Sequence, residues 1–457
     1  MSNSTTQNMT VGSPFKLIIR FFVPLLFGML FQQFYNMMDT MIVGRFLGPK
    51  ALAAVGGTGS INFMIIGFCM GVCNGFAIPV AQSFGAKDHS SLRKFVANSV
   101  WLSIVFSVIT TVVVCILCRQ ILVWMDTPSD IIDGSYSYIF VIFLGIPVIY
   151  LYNLLAGILR SLGDSKTPLY FLVMSSLLNI ILDLAAILIL NMGVAGAAWA
   201  TVISQAISGI LCLVYITKKF PILKISKEEW RPDARYMSKL CMMGIPMGLQ
   251  YSITAIGSVI LQTAVNSLGS LAVASMTAGS KISMFFCCPF DAMGSTMATY
   301  AGQNVGAGKL DRVTKGLKAC SFIGLVYSVI ACIILFVFGK QFTLLFIDVK
   351  EVEIIRNSAY LLKCVSVFYF PLALVNIFRF TIQGLGFSKL AIIAGVCEMA
   401  ARAIVGFAFV PVFGFTAACF ASPVAWIMAD LFLVPAYYLV IKSLKKKQMY
   451  QGSAGVV

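Results

Sequence analysis

Four oxygen-bearing side chains carry the most unusual chemistry in the sequence: Asp39, Asn179, Asp183 and Thr201. Each lies in an apolar run long enough to cross a bilayer. An ionised side chain at mid-membrane costs about 2.5–3.5 kcal/mol or more, so an acid kept there is a functional candidate by default. Helical rise puts Asp39 about 28 Å beyond Arg20, Asp183 about 26 Å beyond Lys166, and Thr201 about 12 Å inward from Gly193. Asn179 precedes Asp183 by one helical turn, so its amide shares that face. Two carboxylates, an amide and a hydroxyl at similar depth make an all-oxygen site for a small cation such as Na⁺, with Asp39, Asn179 and Asp183 as metal ligands in that case. Carboxyls withdrawn from water also carry protons, so the same pair suits a proton carrier. A hydrogen-bonded structural cluster is the plain alternative, but two acids without a base stabilise nothing on their own.

Later runs hold a different set: Lys281, Asp291, Lys363, Arg379, Glu398, Arg402 and Asp430. Glu398 and Arg402 are one turn apart and read as a structural or gating ion pair, which Arg379 and Asp430 extend. Lys281, near mid-span, is placed to pair with Asp291 or Asp430 or to line a pathway. Lys363, near a span end, is expected to snorkel. The roles of these charges stay open. Polar positions for a substrate are Gln33, Asn36, Asn153 and Gln205; Met284, Phe285 and Phe286 offer a soft apolar surface, beside Met242, Met243 and Met247 on the neighbouring span. Such side chains adapt to flat or amphiphilic molecules, although at helical spacing they equally serve as core.

The elements that position these residues follow from composition. Of 457 residues, 59% are hydrophobic and 11% charged, where a soluble domain has about 25% charged. The chain therefore needs lipid as its main solvent. Twelve apolar spans fit: roughly 17–40, 51–80, 95–118, 136–158, 168–190, 194–217, 238–264, 271–300, 315–338, 357–383, 388–411 and 415–441. Alternating loops leave 23 of the 33 basic residues on the N-terminal side, and six acidic residues on each side. A Lys/Arg bias of this kind puts both termini in the cytoplasm and accounts for the net charge of +16 without nucleic acid.

The long charged connector Lys218–Lys239 sits at the centre of the chain, and the flanking halves repeat one another. Leu47-Gly48 matches Leu268-Gly269, Gln82 matches Gln303, and Leu162-Gly163 matches Leu385-Gly386. Pro24 and Pro147 keep step with Pro246 and Pro371, and Arg402 stands where the first half has Asn179. Six spans per half keep both in one orientation, giving parallel repeats of a kind that transporters use. The expected fold is an all-α polytopic membrane protein with twelve transmembrane helices in two pseudo-symmetric six-helix bundles. Residues 1–217 form the N-lobe, 218–237 the cytoplasmic connector, 238–441 the C-lobe and 442–457 a basic cytoplasmic tail.

Other chemistries fit poorly. Most of the 13 cysteines lie inside apolar runs, where they read as packing residues, and Cys115-Ile-Leu-Cys118 has no second pair nearby. The one histidine, His89, sits in a charged loop. No nucleophile, base and metal set stands out, so an enzyme is not expected. Gly67, Gly71 and Gly75 form a small-residue seam for close helix packing.

Several stretches together resemble the multidrug and toxic compound extrusion (MATE) transporters: Pro24…Gln32-Gln33…Asp39-Thr40-Met41-Ile42-Val43-Gly44-Arg45-Phe46-Leu47-Gly48, Arg160-Ser161-Leu162-Gly163-Asp164, Gly193-Val194-Ala195-Gly196-Ala197-Ala198 and Ala301-Gly302-Gln303. The likeness spans nearly the whole chain. It implies the MATE fold and secondary antiport across the cell inner membrane, exporting cationic or amphiphilic drugs in exchange for H⁺ or Na⁺, with no cofactor. It implies an N-lobe cation site of Asp39, Asn179, Asp183, Ala197 (through its backbone) and Thr201. Pro24 is the expected bending point, because proline removes a helix hydrogen bond. Partners would be membrane lipids and small drugs, with the protein a monomer. The same superfamily holds flippases for lipid-linked oligosaccharides, the alternative function; such a flippase needs several deep cations, and only Lys281 and Arg402 offer themselves.

Overall fold

The computed structural model describes residues 7–125, 127–345 and 347–454, and side chains as far as Met449. The first half runs α1 (Pro14–Leu47), α2 (Pro49–Gly57), α3 (Gly59–Gly85), α4 (His89–Trp124), α5 (Ile132–Leu144), α6 (Ile146–Ser161), α7 (Lys166–Leu184) and α8 (Gly193–Lys219). The second runs α9 (Ala234–Asn266), α10 (Ser270–Gly306), α11 (Leu310–Thr343), α12 (Val352–Val367), α13 (Tyr369–Gly384), α14 (Ser388–Ile404), α15 (Val410–Phe413) and α16 (Phe415–Ala454). Among the described residues ten helices are long and apolar enough to span a bilayer, and α5–α6 and α12–α13 are bent pairs that raise the number to twelve.

The bends fall at the same place in each half. The α5–α6 pair turns by 46° and the α12–α13 pair by 53°. Pro147 and Pro371 sit just inside the second segment of each, where a missing N–H interrupts the ladder across the break. Each half also widens into one turn of π-helix after its fifth span, at Ala185–Ile189 and Val405–Phe409. The turns repeat as well: left-handed glycines pair as Gly48 (φ 85°) with Gly269 (93°), Gly163 (85°) with Gly386 (98°), and Gly193 (61°) with Gly414 (59°). A fourth pair sets Lys87 (φ 58°) against Gly308 (70°). Both turns close alike, Lys87 N–H on Phe84 and Asp88 N–H on Ser83 in one, Gly308 N–H on Val305 and Lys309 N–H on Asn304 in the other. Asp88 then caps α4 by accepting the Ser91 N–H at 3.0 Å, and Ser91 holds its carboxyl below the usual aspartate range.

Three features differ from the expected spans. The second, 51–80, is broken: Gly56-Gly57-Thr58-Gly59 ends α2, and Thr58 Oγ1 donates to Val55 O at 2.7 Å. Glycine's weak helix propensity outweighs the apolar character there. The charged connector is an ordered strap on α4, where Arg93 clasps the Glu229 carboxylate at 2.8 and 2.9 Å and Asn98 accepts the Asp233 N–H at 2.9 Å. The basic tail continues α16 as helix through Ala454, with Lys445 Nζ 2.6 Å from Asp311.

Internal packing forms two compact units, one of residues 7–8 with 23–252 and the other of 9–22 with 253–454. The connector and α9 through Ser252 group with the first unit; the opening turns of α1 group with the second, so Pro24 stands beside that changeover. In the first unit the Gly71–Gly75 seam meets α9 backbone: a Cβ on Gly75 would lie 2.5 Å from Gly244 Cα, and one on Gly71 2.6 Å from Met247 O. In the second, Met9 is fully buried, its N–H on Gln303 Oε1 at 2.8 Å and its carbonyl accepting from Asn304 and Arg312 at 3.2 Å each. That is the task of the second copy of the repeated glutamine.

Candidate cation site

The first unit brings Asp39, Asn179, Asp183, Ala197 and Thr201 together from three helices. Asp39 is on α1, Asn179 and Asp183 on α7, Ala197 and Thr201 on α8. The three acid and amide side chains are buried, with Asp183 fully so. The Asp39 and Asp183 carboxyls are within hydrogen-bonding reach of each other. Asn179 satisfies its amide by donating to Asp183 Oδ2 at 3.1 Å and accepting the Thr201 N–H at 3.1 Å. Thr201 Oγ1 donates to the Ala197 carbonyl at 3.1 Å. One oxygen of each acid, Asp39 Oδ1 and Asp183 Oδ1, is buried with no partner. Unpaired buried acceptors are costly, and here two face one cluster that contains no base. The cluster has the oxygens to hold a small cation or a shared proton. The π turn at Ala185–Ile189 begins two residues after Asp183, and such bulges recur at functional positions.

Two tyrosines belong to the cluster and were not among the sequence candidates. Tyr35 flanks the acids and donates to Thr201 Oγ1 at 3.5 Å; Tyr138 on α5 stands beside both carboxyls. Tyr35 is one turn before Asp39, so helical spacing alone places it on that face. Tyr138 carries no such signal, because only packing of α5 brings it there.

The expected substrate positions scatter more. Gln33 and Gln205 are half-buried, and Asn36 is exposed with its carbonyl accepting from Thr40 at 2.9 Å. Asn153 Nδ2 donates to its own helix at Ile149 O, 2.9 Å away. In the second unit Met284 is exposed and Phe285 half-buried. Phe286, half-buried, packs edge-on against Phe342 of α11, and its main-chain carbonyl accepts the Tyr327 hydroxyl at 3.0 Å.

The second unit has its own polar cluster. Glu398 on α14 pairs with Arg402 at 3.4 Å, as its spacing suggested, but its nearer partner is Arg379 from α13. All three are buried. Asp291 and Asp430 lie in the field of Arg379. Lys281 makes no ion pair among the described residues. Lys363 Nζ sits over the Phe336 ring, 5.6 Å from its centre. All 13 cysteines are free thiols, and among the described residues no three of His, Cys, Asp or Glu converge on one point.

Comparison with known proteins agrees with this architecture. The MatE family model matches residues 24–185 and 246–408, one copy in each half. The chain is 29% identical over 355 residues to the probable multidrug resistance protein YoeA of Bacillus subtilis, covering 76% of each chain. It is 23% identical over 432 residues to the multidrug export protein MepA of Staphylococcus aureus, covering 93% of this chain and 94% of MepA. A solved structure described as the outward-facing conformation of a multidrug resistance MATE family transporter superposes with a TM-score of 0.89 at 23% identity, over 98% of this chain and 100% of the other. With both halves matched by the family model, this chain belongs to the MATE family of membrane transporters.

Proposed function

We propose that the protein is a secondary multidrug antiporter that exports cationic or amphiphilic compounds from the cytoplasm in exchange for H⁺ or Na⁺. The observation that carries this reading is the pair Asp39 and Asp183, facing each other in the first unit with an unpaired buried oxygen on each. The named relatives, multidrug resistance and export proteins, support the choice of cargo. We place both termini in the cytoplasm from the Lys/Arg bias of the loops and take residues 1–217 and 238–441 as the two lobes that move.

In this mechanism the coupling ion enters from outside and binds Asp39 and Asp183, with Asn179, the Ala197 carbonyl and Thr201 supplying neutral oxygens. Neutralising the acids removes their repulsion and lets α1 bend at Pro24, where the Arg20 carbonyl lacks its helical donor. Helices α1, α7 and α8 repack, the substrate leaves to the outside, and the lobes return carrying the ion, which is released to the cytoplasm. Ion and drug are coupled because they bias one two-state bundle in opposite directions. A flippase reading loses one of its two deep cations, since Arg402 is taken up by Glu398.

The test is ethidium export from proteoliposomes under separately imposed pH and Na⁺ gradients. Export driven by one of them, and lost on Asp183→Asn at equal protein, is the expected result. Full export by that variant, or indifference to both gradients, refutes the assignment.

A further inference from the structure

We infer that Lys281 is an anion-recognising subsite that selects amphiphiles bearing a carboxylate. The inference rests on the export reading for its setting, but α10 carries it. One face of this 37-residue helix is open. Along it Thr277, Ser280, Lys281, Met284 and Asp291 are exposed, while Ala278, Gly279, Ile282, Cys288 and Phe290 between them are buried. Thr277, Ser280, Lys281 and Met284 lie three and four residues apart and mark one stripe, with Asp291 two turns further along it, and all but Met284 are polar.

The face that α11 leaves open looks quite different. On α11 in the same unit the exposed residues include Phe322, Val326, Val329, Ile333 and Phe336. A face turned to lipid has that apolar make-up. A face with two hydroxyls, an amine and an acid at that depth would cost several kcal/mol in hydrocarbon. The open side of α10 therefore lines water.

Lys281 stands eleven residues into α10, about 16 Å along the axis, too deep for its ammonium to reach the helix end. The other charge on the stripe, Asp291, is ten residues further, about 15 Å away, and it has Arg379 beside it. Lys281 has no carboxylate partner among the described residues. Its repeat-mate in the first half is Ser60, so the cation is not a requirement of the scaffold. Met284, one turn on and exposed, supplies soft apolar contact beside the charge. An ammonium flanked by hydroxyls and a thioether suits the acid group of an aromatic amphiphile.

Two dyes separate the charge from the ring system. Rhodamine 19 carries a free carboxylate, and rhodamine 6G is its ethyl ester. Binding to the purified full-length protein is measured by fluorescence polarisation for wild type, Lys281→Met and Lys281→Arg. The methionine variant is expected to bind rhodamine 19 about tenfold more weakly, the effect of about one charge-assisted contact, and rhodamine 6G within about twofold. Arginine should restore most of the loss. Equal effects on both dyes, no effect on either, or no binding of rhodamine 19 by wild type would each overturn the subsite. Gradient-driven rhodamine 6G export from vesicles, run in parallel, tests the antiporter reading separately, since that dye lacks the group Lys281 recognises.

Discussion

The two halves share turns, bends and π-helical bulges at matched positions, yet they treat buried charge in opposite ways. In the first unit Asp39 and Asp183 face each other with only neutral groups around them. In the second, Glu398 is clasped by Arg379 and Arg402, and Arg402 stands at the repeat position of Asn179. The second half thus carries a resident cation where the first has an amide. A buried carboxylate needs a counter-charge in either case. One half builds it in; in the proposed mechanism the other takes it from solution and responds to it. On the proposed reading, duplication has separated a brace from a sensor on one scaffold.

The largest effect should come from breaking the brace. Glu398→Ala removes the carboxylate that the buried Arg379 and Arg402 share and should cost about 3–5 kcal/mol, seen as a collapse in folded yield and thermal stability of the detergent-purified protein. Wild-type stability would mean that the second cluster braces nothing.

Next is a swap that gives the sensor a resident cation. Asn179→Arg places a guanidinium one turn before Asp183, in imitation of Arg402. Coupling free energies of about 1–3 kcal/mol translate into about a 5- to 150-fold loss of gradient-driven export, with folded yield maintained. Normal coupling in this variant would show that the missing cation is not what distinguishes the halves.

Removing the Tyr35 hydroxyl probes the rim of the cluster. Tyr35→Phe loses a long hydrogen bond to Thr201 and should move the ion concentration for half-maximal export by about threefold. An unchanged midpoint would place Tyr35 outside the site. The smallest effect concerns the scaffold: Lys87→Gly copies the second half's Gly308 into a left-handed turn and should raise stability by up to about 1 kcal/mol. A loss of stability would mean that the two turns are not equivalent.

Much of this was legible in the sequence, because the repeat is written in glycines, prolines and apolar runs, whose backbone consequences are local. The helix positions of Asp39, Asn179, Asp183 and Thr201 followed from rise per residue, and Tyr35 was available by the same arithmetic. Tyr138 was harder: it reaches its cluster from another helix, and spacing along one helix cannot report that packing. Reading Glu398 with Arg402, extended by Arg379, found real contacts; spacing did not show that Arg379 is the nearer partner. The break at Thr58 was visible as Gly-Gly-Thr-Gly, but averaging hydropathy over a span hides three glycines among alanines and valines. Apolar residues such as Phe286 mark the limit, since a phenylalanine that packs and one that binds look alike in sequence, and contact with Phe342 is compatible with either.

The central claim is that Asp39 and Asp183 convert an ion gradient into export. The direct measurement compares wild type with the double variant Asp39→Asn, Asp183→Asn in one vesicle preparation, recording dye export against its own gradient with and without an imposed ion gradient. The account expects uphill export from wild type alone, with downhill dye movement surviving in both. Uphill export by the double variant at the wild-type rate would contradict it.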